Sequence, residues 1–258
     1  MDRRSFIQST TLSSLGLIAG VPLPLFEQGK THIITLSFDD GFRKSVLKTA
    51  DIYDSVGLKA CFNVIASGHL PEFEAPDDYI LPELLGNFED WNALVKRGHE
   101  VMPHSWKHSW LNKLPTDEAS ALIGRCIDYF AERLDGFDPV KSVFNFPFNA
   151  TTPELNTYTL SRVGAMRAWG EGAVNQMPDQ NPEILGCSSN GPDNIDRWVK
   201  SKVKRFLKSP GGWLILNTHG LDGEGWGHMS SKYLEKLLNK LVKIEYVAVL
   251  PTGKALFD

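Results

Sequence analysis

Two carboxylates and two imidazoles are spaced so that three of them could bind one divalent metal ion. Asp39 and Asp40 end one apolar run, and His104 and His108 follow a second run with a spacing of four. Residues four apart lie on one face of a helical turn, so both imidazoles can point at the same ion. A carboxylate from another strand end would complete a three-ligand set of nitrogen and oxygen donors, which is typical of catalytic zinc sites. The remaining carboxylate would be free to act as a base.

The elements that must position these residues begin at Thr31, where short apolar runs start to alternate with helical patterns. The runs are read as eight β-strands, and several of the polar candidates directly follow one of them. The predicted strands are His32 to Ser37, Ala60 to Ile65, Glu100 to Pro103, Ser142 to Phe146, Ala165 to Trp169, Ile184 to Ser188, Trp213 to Thr218 and Tyr246 to Leu250.

Helical patterns separate the runs. Apolar residues recur at helical spacing from Phe42 to Val56 and stop at Gly57, a residue favoured just past a helix end. Thr116 is the predicted N-cap of a second helix, and Ser230 opens a last one. Strand-helix alternation predicts an α/β fold with a parallel sheet, and eight units in roughly 230 residues favour a (β/α) barrel over a doubly wound open sheet. In either fold, catalytic groups should collect at the carboxyl ends of the strands.

Composition narrows the class of protein. The chain is 42% hydrophobic and 22% charged with a net charge of -4, as expected for one soluble globular domain. The mild acidity argues against nucleic-acid binding and gives no indication of a polyanionic partner or of an oligomeric state. Cys61, Cys126 and Cys187 lack the C-x-x-C spacing of a thiolate metal site, so buried reduced thiols are expected.

The N-terminus has a different character. The segment from Asp2 to Gln8 (DRRSFIQ) precedes a weakly apolar stretch that runs to about Leu25, and together they resemble a twin-arginine export signal. Residues 1–30 are therefore predicted to be a signal segment that directs the protein to the periplasm or cell envelope. The alternative is an ordinary amphipathic N-terminal helix. The stretch is too short and too interrupted for a stable membrane span.

Four strings occur in the order and spacing of the polysaccharide deacetylases, the NodB-like domains of carbohydrate esterase family 4. They are Ser37 to Gly41 (SFDDG), His104 to His108 (HSWKH), Phe146 to Phe148 (FPF) and Leu216 to His219 (LNTH). The resemblance extends from about Thr31 to Val249. It implies a single domain over residues 31–258, a deformed (β/α) barrel of about seven to eight parallel strands. It also implies hydrolysis of N- or O-linked acetyl groups on a glycan with Zn²⁺, or Co²⁺ or Ni²⁺, as the cofactor.

The resemblance also implies roles by position. Asp39 matches the general base, His219 the general acid, and the backbone N–H of Phe148 the oxyanion contact. The implied metal ligands are Asp40, His104 and His108.

One residue departs from the family pattern. The family usually has an arginine that pairs with the base two positions before the proline of the third string, and this chain has Asn145 there. Losing that cation should raise the pKa of Asp39. Arg167, in the next predicted strand, could reach in and replace it.

A looser match covers the segment from Asp193 to Trp198. In the family, an acid in this region orients the catalytic histidine, and an indole forms a wall of the acetyl pocket. Asp193 and Asp196 are both candidates for the acid, and Trp198 for the wall. A plain helix N-cap would explain Asp193 equally well.

Two rival functions stay open at this point. One is a C–N hydrolase of small non-sugar amides, because one fold serves related chemistries. The other is a catalytically silent glycan-binding module, to which only Asn145 points. An open groove would favour a polymer substrate, and a closed pocket would favour a small molecule.

Overall fold

The computed structural model describes residues 29–74, 78–168, 170 and 174–258. All eight predicted strands are confirmed, and every ladder between them in the described residues is parallel. The end of the fifth predicted strand, Trp169, and most of the predicted signal segment lie outside the described residues. The strands are β1 His32–Phe38, β2 Cys61–Val64, β3 Glu100–Pro103, β4 Val143–Asn145, β5 Ala165–Arg167, β6 Ile184–Leu185, β7 Gly212–Thr218 and β8 Val247–Val249.

The strands form two sheets that adjoin at both edges. In the first sheet, β1 pairs with β7 along its whole length, while β8 and β2 share its other edge and β3 lies beyond β2. The second sheet has the order β4-β5-β6. A single bridge between Ser188 and Leu216 connects it to β7, and the Asn145 side chain donates to the Pro103 carbonyl of β3 at 3.4 Å. The predicted α/β architecture of eight parallel strands is therefore confirmed, with regular ladders interrupted where the two sheets meet.

In the described part of the chain, seven α-helices separate and cover the strands: α1 Arg43–Ser55, α2 Phe88–Lys96, α3 Thr116–Arg133, α4 Pro153–Leu160, α5 Asp196–Phe206, α6 Ser231–Leu241 and α7 Thr252–Phe257. Gly57 follows α1 with a φ of +72°, a conformation that favours glycine. The N-cap of α6 is Ser230, as predicted. The prediction for α3 is wrong by one residue, because Pro115 is the N-cap and Thr116 already belongs to the helix.

Alternation along β1 divides the core. Ile34, Leu36 and Phe38 pack in the large cluster that includes residues of the covering helices, whereas Ile33 belongs to a separate cluster with β7 and α7 residues. Since alternate residues of a strand face opposite sides, the face of Ile33 also carries Ser37. The Ser37 hydroxyl accepts hydrogen bonds from side chains of β2 and β5. This second face is thus apolar at one end and polar at the carboxyl ends of the strands.

The three cysteines are buried and free, as predicted. Within the described residues, no helix is long and apolar enough to cross a bilayer.

Candidate metal centre and active site

The candidate ligands lie in two connections at the carboxyl ends of β1 and β3. Asp40 follows β1 with a φ of +74°. His104 and His108 follow β3 in a turn and not in a helix, because Ser105 and His108 both have positive φ. The Ser105 hydroxyl accepts a hydrogen bond from the His108 N–H at 2.9 Å, which fixes this turn. The predicted helical turn is therefore wrong, although both rings still reach the same carboxylate.

Asp40, His104 and His108 form a compact set of donors. Their ligand atoms lie within 4.8 Å of one another, and all three residues are buried. The Asp40 Oδ1 atom is 3.5 Å from His104 Nε2 and 3.3 Å from His108 Nε2, and no described group donates a hydrogen bond to it. His104 Nδ1 lies 2.8 Å from the Asn145 carbonyl, so that it donates there and leaves Nε2 for a metal. A buried carboxylate oxygen without a donor is costly, and a cation would satisfy it.

The charges of these groups suit a divalent cation. Burial alone would raise the pKa of Asp40, but His108 and His104 hold it well below its usual value. Burial lowers the pKa of His108 to about 4. At neutral pH the aspartate is ionised and this imidazole is neutral, which are the forms that bind metals.

Asp39 is fixed beside the metal set by three neighbouring side chains. Arg167 makes a two-pronged ion pair with it, with Nη1 3.0 Å from Oδ1 and Nη2 2.5 Å from Oδ2. The Asn63 amide donates to Oδ1 at 2.6 Å, and the Asn217 amide donates to Oδ2 at 2.8 Å. Oδ2 is also 3.6 Å from His104 Nε2. Burial would raise the pKa of Asp39, but the charge and hydrogen bonds of Arg167, together with the neighbouring His104 and His219, outweigh burial and lower it.

Arg167 occupies the place left open by Asn145. The two residues are directly opposite each other in the β4–β5 ladder. The Asn145 amide donates to backbone carbonyls, including that of Val143 at 2.8 Å, and these hydrogen bonds direct it away from Asp39. The guanidinium therefore approaches the acid from β5 instead of β4.

The remaining residues surround a cavity of about 510 Å³. His219 follows β7, and its ring meets Trp226 edge-on at 5.4 Å between centroids. Phe148 has a φ of +57° and stacks in parallel on Trp110 at 3.8 Å. Tyr79 is 49% exposed and Trp110 is 40% exposed, so aromatic surface reaches the mouth. Other lining residues are Asp39, Asp40, Ile80, His104, His108, Asn149, Ser189 and Asn217.

The structure does not bring Asp193, Asp196 or Trp198 to this cavity. Asp196 begins α5 and accepts hydrogen bonds from the backbone N–H and the hydroxyl of Ser230, at 2.9 and 2.5 Å. The indole that stands against His219 is Trp226. Asp193 is exposed.

Two polar residues of the site carry no role in the sequence analysis. Asn63 and Asn217 are buried amides within otherwise apolar strands, and both donate to Asp39. A polar amide inside an apolar run is a signal that could have identified them, since a buried polar group needs a hydrogen-bond partner.

Comparisons with known proteins agree with this architecture. Residues 27–164 match the model of the family described as polysaccharide deacetylase. A family 4 carbohydrate esterase from Streptomyces lividans has a TM-score of 0.57 at 17% identity, over 85% of this chain and 92% of that one. The peptidoglycan deacetylase PdaC from Bacillus subtilis has a TM-score of 0.53 at 18% identity, over 87% and 90%. A family 4 acetyl xylan esterase from Clostridium thermocellum, in complex with cobalt, has a TM-score of 0.57 at 16% identity, over 86% and 89%.

At these identities the structural likeness concerns the fold alone, and a comparison with curated protein sequences found no match. The family model covers more than half of the chain. The chain therefore belongs to the polysaccharide deacetylase family, whose members are carbohydrate deacetylases and esterases.

Proposed function

We propose that this protein is a metal-dependent hydrolase that removes acetyl groups from a glycan. The observation that carries the proposal is the convergence of Asp40, His104 and His108 beside a separate carboxylate, Asp39, which is held by Arg167. Three donors with an adjacent base match the requirements of metal-assisted hydrolysis.

The donor set suits Zn²⁺, and Co²⁺ or Ni²⁺ would accept the same carboxylate and imidazoles. A bound divalent ion would polarise the acetyl carbonyl and lower the pKa of water from 15.7 to about 7 in favourable cases.

Asp39 takes the proton of the attacking water. Its depressed pKa keeps it ionised at neutral pH, and its ion pair with Arg167 fixes the direction of its lone pairs. The Asn63 and Asn217 amides further restrict rotation of the carboxylate.

Phe148 and His219 act on the charge that develops during the reaction. The backbone N–H of Phe148 donates to the acetyl oxygen as it becomes negative, an interaction worth a few kcal/mol in comparable oxyanion sites. An amine or alkoxide leaves poorly without a proton, and His219 supplies it. Trp226 limits where the His219 ring can move.

An exposed aromatic mouth supports a sugar polymer over a small amide. Tyr79 and Trp110 are partly exposed at the rim of the cavity, where their faces can pack on pyranose C–H groups. The alternative of a catalytically silent glycan-binding module rested on Asn145 alone. Arg167 supplies the cation that Asn145 lacks, so this argument for the alternative no longer holds.

The test is acetate release from acetylated xylan, chitin oligomers and peptidoglycan, by chelated protein and after addition of zinc, cobalt or nickel. We expect acetate from at least one substrate and a fall in kcat of about 100-fold or more for Asp39→Asn and for His219→Gln. Circular dichroism would verify that both variants are folded. Absence of acetate with every metal, or full activity of Asp39→Asn, would rule out the proposal.

A further inference from the structure

A second groove lies outside the catalytic cavity, between α5 and α6. Its volume is about 550 Å³, and five cationic side chains line it. Arg197, Lys200 and Lys204 come from α5, and Lys236 and Lys240 come from α6. All five are exposed, and no ion pair joins any of them to a carboxylate of the described residues.

The floor of this basic groove is apolar. Val203, Leu207, Tyr233 and Leu237 form it, and Asp196 stands among its lining residues. The carboxylate of Asp196 already accepts two hydrogen bonds from Ser230, so it is occupied by its own neighbour. The groove therefore offers apolar surface between two rows of unpaired positive charge.

Positive charge is concentrated on these two helices, although the chain as a whole is mildly acidic. The two segments 196–208 and 231–243 hold ten of the 27 lysines and arginines in 26 residues, with only two acidic residues among them, although the chain has a net charge of -4. Like charges three and four positions apart on a helix repel each other. An anionic ligand would relieve that repulsion and would be attracted by the summed field of the groove.

We propose that the basic groove binds an anionic glycan, a polysaccharide that carries carboxylate or phosphate groups along its length. Arg197, Lys200 and Lys204 span eight residues of helix, about 10 Å, so they present a row of charges and not a point. An extended polyanion fits such a row better than a small anion does. The apolar floor suits the C–H faces of sugar rings.

The choice of a glycan rests on the proposed function and on the combination of a charged rim with an apolar floor. Asp196 holds Ser230, and Ser230 follows the segment that carries His219 and Trp226, two residues of the cavity wall.

The test measures binding of the full protein to polygalacturonate, which carries carboxylates, and to a poly(glycerol phosphate) teichoic acid, which carries phosphates. The groove variant combines Lys200→Gln, Lys236→Gln and Lys240→Gln. The matched control removes the same charge elsewhere, with Lys44→Gln, Lys141→Gln and Lys254→Gln. We expect the groove variant to lose about tenfold or more in affinity, the control to lose little, and wild-type binding to weaken steeply with salt.

Kinetics on a neutral acetylated oligosaccharide separate the two proposals. If the groove variant turns it over like the wild type and loses only polymer binding, the groove is a distinct site. If neither the wild type nor any variant releases acetate, but the groove variant still binds the polymers more weakly than the wild type does, the proposed function fails and the groove assignment stands. Binding to neither polymer, equal losses in groove and control variants, or binding only to phosphatidylglycerol vesicles would overturn the assignment.

Discussion

At the scale of single residues, the site depends on a buried ion pair. Asp39 and Arg167 are both almost completely buried. A buried charge is tolerated only when it is paired and hydrogen-bonded, and the planar fork of a guanidinium satisfies both carboxylate oxygens at once. Lysine would present a single point of charge and could not hold the carboxylate plane.

Arg167→Ala should therefore be damaging in two ways. Loss of one partner leaves a buried, uncompensated carboxylate, which typically costs about 3–5 kcal/mol of stability. It also frees the base to rotate, so kcat should fall at least about tenfold while KM changes less. Urea unfolding and acetate-release kinetics measure the two effects.

A positional swap distinguishes this role from simple packing. Because residues 145 and 167 face each other in the β4–β5 ladder, Asn145→Arg combined with Arg167→Asn moves the cation to the neighbouring strand. We expect the swap to recover part of the kcat that Arg167→Ala loses. Wild-type activity in Arg167→Ala would contradict the assigned role of the ion pair.

The sequence alone predicted most of the residues that the structure brings together at the candidate site. It did not predict the hydrogen bonds that hold them. Strand ends followed by acids or histidines predicted that Asp39, Asp40, His104 and His219 would gather, since parallel strands end at one side of the sheet. The path of the loop after β6 was not predictable from local pattern. The indole beside His219 belongs to Trp226, which lies in the same connection after β7, and not to Trp198 of α5.

At the scale of elements, periodicity identified every strand because each is an apolar run bounded by polar residues. The last helix, α7, has only six residues, too few to repeat an apolar stripe, and the sequence analysis missed it. The turn after β3 escaped prediction for another reason. Its positive φ values at Ser105 and His108 accompany a hydrogen bond from the His108 N–H to the Ser105 hydroxyl, and the spacing of the two histidines does not indicate that bond.

A hydrogen bond between the segments that precede β2 and β3 predicts that the stability of the fold depends on pH. His99 lies before β3 and accepts a hydrogen bond from the Ala60 N–H through Nδ1 at 3.1 Å, which requires a neutral ring. Burial lowers the pKa of His99 below 6.5, opposed by Asp54 and reinforced by Arg97 and Lys59. A lowered folded-state pKa means that the unfolded chain binds the proton more readily. Stability should thus fall as the pH falls from 6.5 towards the folded-state pKa.

His99→Gln should reduce this pH dependence, because glutamine can accept the same hydrogen bond without titrating. Urea unfolding at pH 7.5 and pH 5.5 measures it, with His228→Gln as the control, since His228 lies outside this contact. We expect the wild type and the control to lose more stability on acidification than His99→Gln does. Equal losses in all three proteins would exclude His99 as the cause.

At the scale of the whole molecule, the distribution of charge matters more than its sum. A net charge of -4 gave no indication of a polyanionic partner. Two helices separated by more than twenty residues in sequence bring their lysines together only because both pack on the same side of the strands. The two helices are neighbours because of the fold topology, so amino-acid composition alone does not predict the basic groove.

The candidate metal centre also joins distant parts of the molecule. Asp40 follows the interior strand β1, whereas His104 and His108 follow β3 at the edge of the same sheet, and His104 is oriented by the Asn145 carbonyl of the second sheet. A metal that binds only the folded arrangement stabilises it in proportion to the logarithm of its concentration over Kd. At 100 times Kd this amounts to about 2.7 kcal/mol.

Chelation should therefore lower the melting temperature by about 5–10 °C, since a domain of this size loses about 2–4 °C per kcal/mol. Calorimetry with and without EDTA measures the change, and added zinc should restore the original value. The control is His108→Gln, which removes one ligand and should make the melting temperature insensitive to both EDTA and zinc. If His108→Gln responded to EDTA as strongly as the wild type, the stabilising ion would have to bind elsewhere, and the assignment of these three ligands would be wrong.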